Sequence, residues 1–500
     1  MKRLFPIIAI TILCIACGRQ IPTDYTKSST LPAIYPDYTN VTIPINIAPL
    51  TFLLDQEAED MVTRFSSGTE ELICGGKKVQ PDESAWRTLM EQAKGKAIKV
   101  EVFIKNNSQW VLYQPFNIYV SPDSIDPYIS YRLIAPSYVG YEELTINQRC
   151  LENYNASVIY DNMLCSNEKQ GQCINCHNYQ QLNPNRMQFH ARQRQGGTVI
   201  AYDGQLKKIN MKNDSIISAG VYPSWHPWLK LIVYSTNNTH QSFHTTDPNK
   251  IEVYDTESDL IAYDIERNEV TNIENAPDEL EVFPFWAPDG KALYYASAHF
   301  EYRDTVDRGL ELIKRAYELK YNIYRKSFNP KTMQFGPREL IFDASAIDKS
   351  ATLPRISPDG RYLMFTLASY GVFHIWHHDA DLWVMDLKTK QAWEATELNS
   401  PDTESYHSWS GNGRWVVFSS RRDDGNFTRP FIAHIDQNGK GAKPFELPCA
   451  DPDYHRQLMK CYNIPEFMRG PVTIRPQDFA DILKQEGDPV KYVNRLHSNN

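Results

Sequence analysis

The chain of 500 residues has no phosphate-cradling glycine loop, no serine elbow and no paired-carboxylate motif, so nothing in it supports a nucleotide-dependent enzyme or a hydrolase. It also lacks positive charge. The formal balance is −9, and removing Lys2 and Arg3 with a leader takes it to −11, which argues against nucleic acid as a partner. Long apolar runs are missing after the first residues, so no second membrane segment is expected. Cysteine is sparse, with nine in all, and beyond the first seventeen residues only one pair has the spacing Cys-x-x-Cys. Without a second such pair, a four-cysteine zinc site has no support.

What the chain does have begins at its N-terminus. Lys2 and Arg3 precede an apolar stretch over residues 4–15, which is short for a bilayer span and ends in small residues. Leu13-Cys14-Ile15-Ala16-Cys17 reads as a lipoprotein cleavage box: residues 1–16 are the export signal and Cys17 is the lipidated first residue of the mature chain. Residues 17–39 form a polar tether rich in Pro, Ser and Thr. The expected location is the cell envelope, on the periplasmic side of the outer membrane, held by a lipid anchor.

The one stretch that names a cofactor is Cys173-Ile174-Asn175-Cys176-His177, the attachment sequence of a covalent c-type haem. Two thiols add to the porphyrin vinyl groups, and His177 supplies an imidazole to the iron. His190 and Met187 are the candidates for the sixth iron position, with Arg192 and Arg194 placed to meet propionates. The segment over residues 166–197 reads as a polar, haem-carrying insert walled by its neighbours. Of the remaining cysteines, Cys449 with Cys461 and Cys150 with Cys165 are candidate disulfides, and reduced buried thiols are the alternative.

Residues 40–165 read as an N-terminal β-rich, sandwich-like domain with one helix. Asp82 is its N-cap, Trp86, Leu89, Met90 and Ala93 its apolar face, and Gly95 its stop. Ile98, Val100 and Val102 alternate with Lys99 and Glu101 as a strand should. The segments around Pro44 to Pro49 and Ile125 to Tyr128 read as straps packed on another domain.

From residue 198 to 447 the sequence repeats. Pro223-Ser224-Trp225, Pro284-Phe285-Trp286, Pro354-Arg355-Ile356 and His407-Ser408-Trp409 are each followed by a turn and then an apolar run. Three of the four turns carry Pro-Asp-Gly or Gly-Asn-Gly, where glycine takes the positive φ of a tight hairpin. A four-stranded unit recurring every 53 to 70 residues is the signature of a β-propeller blade. Six blades are expected, the sixth mixing early and late segments. Residues 300–321 should carry a short helix, residues 237–249 are a polar insertion, and residues 448–500 are an outer tail. His374, His377 and His378 form a patch at a blade edge, with metal binding as the lesser reading.

The Pro-Asp-Gly repeats resemble the blades of the TolB-like family. Together with Asn46-Ile47-Ala48-Pro49-Leu50 and the single haem motif, the chain is similar to the middle region of the hydrazine synthase alpha subunit family, with relatives in Bacteroidetes and Planctomycetes. That resemblance implies a c-type haem held by Cys173, Cys176 and His177 against a propeller. It does not bring nitrogen chemistry, because the further haem motif of the synthase is missing here. The functions left are an electron carrier with a redox protein partner, a haem enzyme with an open iron, or a non-redox propeller that docks a partner.

Overall fold

The computed structural model describes residues 19–136, 143–167, 169–303 and 306–494. Cys14 and Cys17 lie outside the described residues. The chain is all-β in character, and its larger part is a β-propeller. Its six inner strands are Gln172–Tyr179, Val221–Trp225, Glu279–Trp286, Ser350–Ile356, Glu404–Trp409 and Cys461–Met468. Each contacts the next around the ring, and the last contacts the first.

Turn chemistry fixes the blades. Gly290, Gly360 and Gly413 have φ of 57°, 76° and 67°. Each donates its amide three residues back, to Ala287, Ser357 and Ser410. The Asp289, Asp359 and Asn412 side chains accept the amide two residues on. Each hairpin is thereby closed from both sides, and the apolar runs that follow, such as Tyr362–Ala368 and Trp415–Ser420, are buried second strands. The insertion after residue 237 is an extended β-hairpin, Leu231–Phe243 paired with Ile251–Asp264. The short helix expected within residues 300–321 is Arg308–Lys314.

The topology moves three expected boundaries. Tyr128–Ile134, Thr145–Cys150 and Ala156–Asp161 belong to the propeller, because they form the outer strands of the sixth blade, and the inner strand Cys461–Met468 comes from the tail. The N-terminal domain therefore ends near Ser121, not at residue 165. Residues 166–197 are no insert. Gln172–Tyr179 and Arg186–Gln193 are the two inner strands of the first blade, continued by Gly197–Tyr202 and Gln205–Asn210. These strands bury polar side chains, Gln172, His177, Gln188 and His190 among them, so the polar look of this segment hid them. The tail over residues 448–500 is not only an outer wrap. Besides the closing strand it lays Asp488–Pro489 along the first blade and Lys491–Tyr492 along the second, covering two sheet edges.

The N-terminal domain is a seven-stranded sheet with the helix Glu83–Ala93 on one face and a three-stranded sheet beside it. Asp82 accepts from the amides of Ser84 and Ala85, and Gly95 follows the helix at φ 70°. Trp86, fully buried, donates its indole N–H to the Ile47 carbonyl and stands edge-on to Phe65. The apolar core of this domain runs on without a break into Trp415, Ile432 and Phe467 of the fifth and sixth blades. The straps behave as expected: Ala48 donates to Leu151, and Asp126 accepts from Gly411.

Candidate functional site

All six inner strands carry the same irregularity. In each, two residues oppose one on the neighbouring strand, a β-bulge, and the first of the two has positive φ. These residues are Cys176, Tyr222, Phe283, Leu353, Tyr406 and Ile464, with φ between 48° and 58°. The second bulge residue is Pro in four blades and His in two, His177 and His407. The haem-like motif thus lies on the blade repeat: Asn175-Cys176-His177-Asn178-Tyr179 is the counterpart of Ser405-Tyr406-His407-Ser408-Trp409.

The bulges turn six side chains to the propeller axis, where they form a collar around a cavity of about 20 Å³. Tyr222 and Phe283 meet edge to face at 4.7 Å within it. The Cys176 thiol accepts from the Tyr222 amide at 3.4 Å, and burial raises its pKa. His177 is 1% exposed and turned into the wall toward the sixth blade, where the carbonyls of Ser130 and Ile464 face it and its ring stands edge-on to Tyr179. Burial first, then the nearby Arg132, push its pKa down to about 3, so it is a neutral imidazole.

These positions do not fit a haem. The cavity beside Cys176 and His177 has room for about one water molecule, and a porphyrin is a flat macrocycle many times larger. The two candidates for the sixth position also lie apart. Met187 is fully buried in the core between the first and sixth blades, beside Tyr179 and Phe189. His190 is on the opposite face, bonded through Nδ1 to Thr198 Oγ1 at 2.9 Å and bordering a cavity shared with Asn237 and Thr239 of the second blade. Because His177 faces the sixth blade and His190 the second, one iron cannot take both. Arg192 follows the His190 face, near Cys176 and Asp255.

The other expected clusters also come apart. His374 bonds Thr352 and the Gly371 carbonyl, His377 pairs with buried Glu252 at 3.0 Å, and His378 pairs with Asp402 at 2.9 Å. They form no metal cluster among the described residues. Cys449 and Cys461 have different partners, His455 with Arg149 for the first and the Thr428 amide for the second. Cys150 and Cys165 are likewise separate free thiols.

Two positions after each bulge, a second ring of side chains faces the axis: Asn178, Ser224, Phe285, Arg355, Ser408 and Glu466. This ring lines a cavity of about 160 Å³, wedged apart by Trp225, Trp286 and Trp409 and joined at its rim by Arg469. Asn178, Arg355 and Glu466 border both this cavity and the smaller one within the collar. Arg355 lies over the Phe285 ring, 5.0 Å from its centroid, and among the described residues its guanidinium donates to one acceptor, its neighbour Pro354. Burial lowers its pKa, with Glu466 acting the other way. Glu466 accepts from Asn178 at 2.7 Å, and burial raises its carboxyl to about 7 against the counter-effect of Arg355. Sequence reading missed this ring, although its signal was present. Each member stands two residues after the apolar residue of an apolar-Pro or apolar-His pair, and Ile464-Pro465-Glu466 repeats the pattern inside the supposed tail.

The chain spans 37% of the tricorn protease it matches and 42% of two prolyl peptidases. The tricorn match has a TM-score of 0.34, 12% identity and 79% of this chain covered. The Swd1 propeller domain of Myceliophteria thermophila matches 54% of this chain and 85% of its own at 11% identity and a TM-score of 0.26. For the endo-arabinase of Bacteroides thetaiotaomicron the figures are 51%, 92%, 12% and 0.29. No protein-family model matches the chain, and no curated protein matches it in sequence.

Proposed function

We propose that this chain is a binding protein without a haem, a TolB-like propeller tethered to the cell envelope through Cys17, whose axial cavity captures a small carboxylate-bearing ligand. The observation that carries this reading is Arg355. Its guanidinium lines this cavity and, among the described residues, donates to one backbone carbonyl, which leaves most of its donors able to meet a ligand. A planar fork of donors in a poorly hydrated site is matched by a carboxylate, which it binds through two parallel bonds. Arg469 adds a second cation at the rim, while Asn178, Ser224 and Ser408 offer neutral hydrogen bonds. Glu466 selects among carboxylates, since a donor group on the ligand would meet its oxygens and a second negative charge would be repelled.

The test is thermal stabilisation and calorimetry of the full chain with acetate, succinate, glycine and alanine, compared with Arg355→Gln. Monocarboxylates carrying a donor group should bind the parent, and the variant should lose at least tenfold in affinity, the loss of about 1.5–3 kcal/mol for a charge-assisted hydrogen bond. Equal binding by parent and variant would remove Arg355 from the site.

A further inference from the structure

Away from the axis, the seam between the N-terminal domain and the fifth and sixth blades holds a second arrangement that the pocket does not use. Glu446 ends the outer strand Phe445–Glu446 of the fifth blade, Cys449 follows in the loop, and His455 rides on the short helix Tyr454–Gln457. The Cys449 thiol lies 3.4 Å from His455 Nε2. The other nitrogen of that ring, Nδ1, bonds a Glu446 carboxylate oxygen. Arg149, from the sixth blade, donates Nη1 to the same sulfur at 3.2 Å, and its Nη2 bonds the Pro448 carbonyl. A nucleophile, a base and a carboxylate that orients the base are therefore in line, the arrangement that activates a thiol.

The surroundings hold it rigid. Tyr35 donates to the Glu446 carboxylate at 3.3 Å and Tyr38 to the Glu446 carbonyl at 3.2 Å, both from the N-terminal domain. Thr51 donates to the Cys449 carbonyl, and the Tyr462 hydroxyl stands 3.1 Å from His455 Nε2. Burial alone would raise the thiol, but the His455 and Arg149 charges overcome it and bring Cys449 down to about 7. Burial would likewise lower His455, and Cys449 with Glu446 instead lift it to about 9. The two shifts both favour an ionised thiol beside a charged imidazole.

We propose that Cys449, His455 and Glu446 form a reactive thiolate triad that takes an oxygen atom from hydrogen peroxide. Size restricts the substrate: Cys449 is 8% exposed and His455 and Glu446 are each 2% exposed, which excludes all but a reagent of very few atoms. The thiolate attacks one peroxide oxygen, the S–O bond forms as the O–O bond breaks, and the departing hydroxide takes the His455 proton to leave as water. Sulfur is oxidised by two electrons to a sulfenic acid, and the peroxide is reduced by the same two.

The experiment treats the full chain with one equivalent of hydrogen peroxide, removes the excess with catalase, unfolds the chain in the presence of dimedone so that every sulfenic acid is trapped, and locates the adduct by mass spectrometry. Cys449 should be labelled ahead of Cys74, the half-buried thiol whose pKa burial raises to about 11. His455→Asn should slow Cys449 labelling roughly 50-fold at pH 7, the fall in thiolate if the pKa returns from about 7 to 9. Glu446→Gln, which keeps an acceptor for Nδ1, should slow it less. Labelling of Cys74 without Cys449 in the parent would overturn the proposal whatever the variants do. So would a His455→Asn protein that keeps the parent's melting temperature and the parent's rate.

Discussion

Replacing Glu466 by Gln tests the axial cavity through stability alone. The carboxyl is held at about 7 instead of 4.5, mainly by burial, while the unfolded chain releases the same proton near 4.5. Between those values the folded form binds the extra proton, so stability falls as pH rises through this window and is level outside it. The raise corresponds to about 3 kcal/mol at roughly 1.4 kcal/mol for each unit. The amide of Gln keeps an oxygen to accept from Asn178 and has no proton to lose. Variant and parent should therefore melt alike near pH 4, and the variant should gain by up to about 3 kcal/mol at pH 8. Taking the difference between the two proteins cancels every other group that titrates in the window, Asp255 and Asp381 among them. The assay is differential scanning calorimetry of both proteins from pH 4 to 8. A melting difference that stays constant across this range would mean that Glu466 ionises as it does in water, and the cavity floor would have to be wet and the Arg355 argument abandoned.

Two further outcomes follow from the repeat and from the N-terminus. His177→Pro should leave the melting behaviour within about 2 kcal/mol of the parent, because Pro223, Pro284, Pro354 and Pro465 already occupy that bulge position; mass spectrometry of protein matured beside haem-attachment machinery should show no covalent haem, and an added haem mass that Cys173→Ser reduces would show the inner strand to be packed otherwise. Cys17→Ser should move the protein from the membrane to the soluble fraction after cell breakage, and retention in the membrane would end the lipid-anchor reading.

The propeller was legible because its turns are chemically demanding: a Pro-Asp-Gly or Gly-Asn-Gly hairpin leaves few alternatives, and three such turns with a fourth copy of the strand pattern set the period. The capped helix after Asp82 was legible for the same kind of reason, since its N-cap, apolar face and glycine stop are all local. The first and sixth blades were not. Their inner strands lack the glycine turn, and Cys461–Met468 pairs with Tyr128–Ile134 across most of the chain, a partnership that no local pattern encodes. The Cys-x-x-Cys-His motif misdirected the reading because spacing says nothing of backbone geometry. On a strand with a bulge, Cys176 turns to the axis and His177 into the wall, so residues that would converge on a helix diverge here. Arg355 and Glu466 escaped notice because a ring of six unlike residues shows no resemblance until the strands that carry them are aligned.

The sixth blade gives the molecule a latch. Its outer strands are made early and its inner strand late, and until residues 461–468 arrive the ring has a gap beside the first blade, with the edge of Tyr128–Ile134 unpaired. Closing so long a loop is the costly step in ordering the chain, and contacts of such range form slowly. A chain delivered from its N-terminus therefore stays an open ring until its closing strand, residues 461–468, has been supplied.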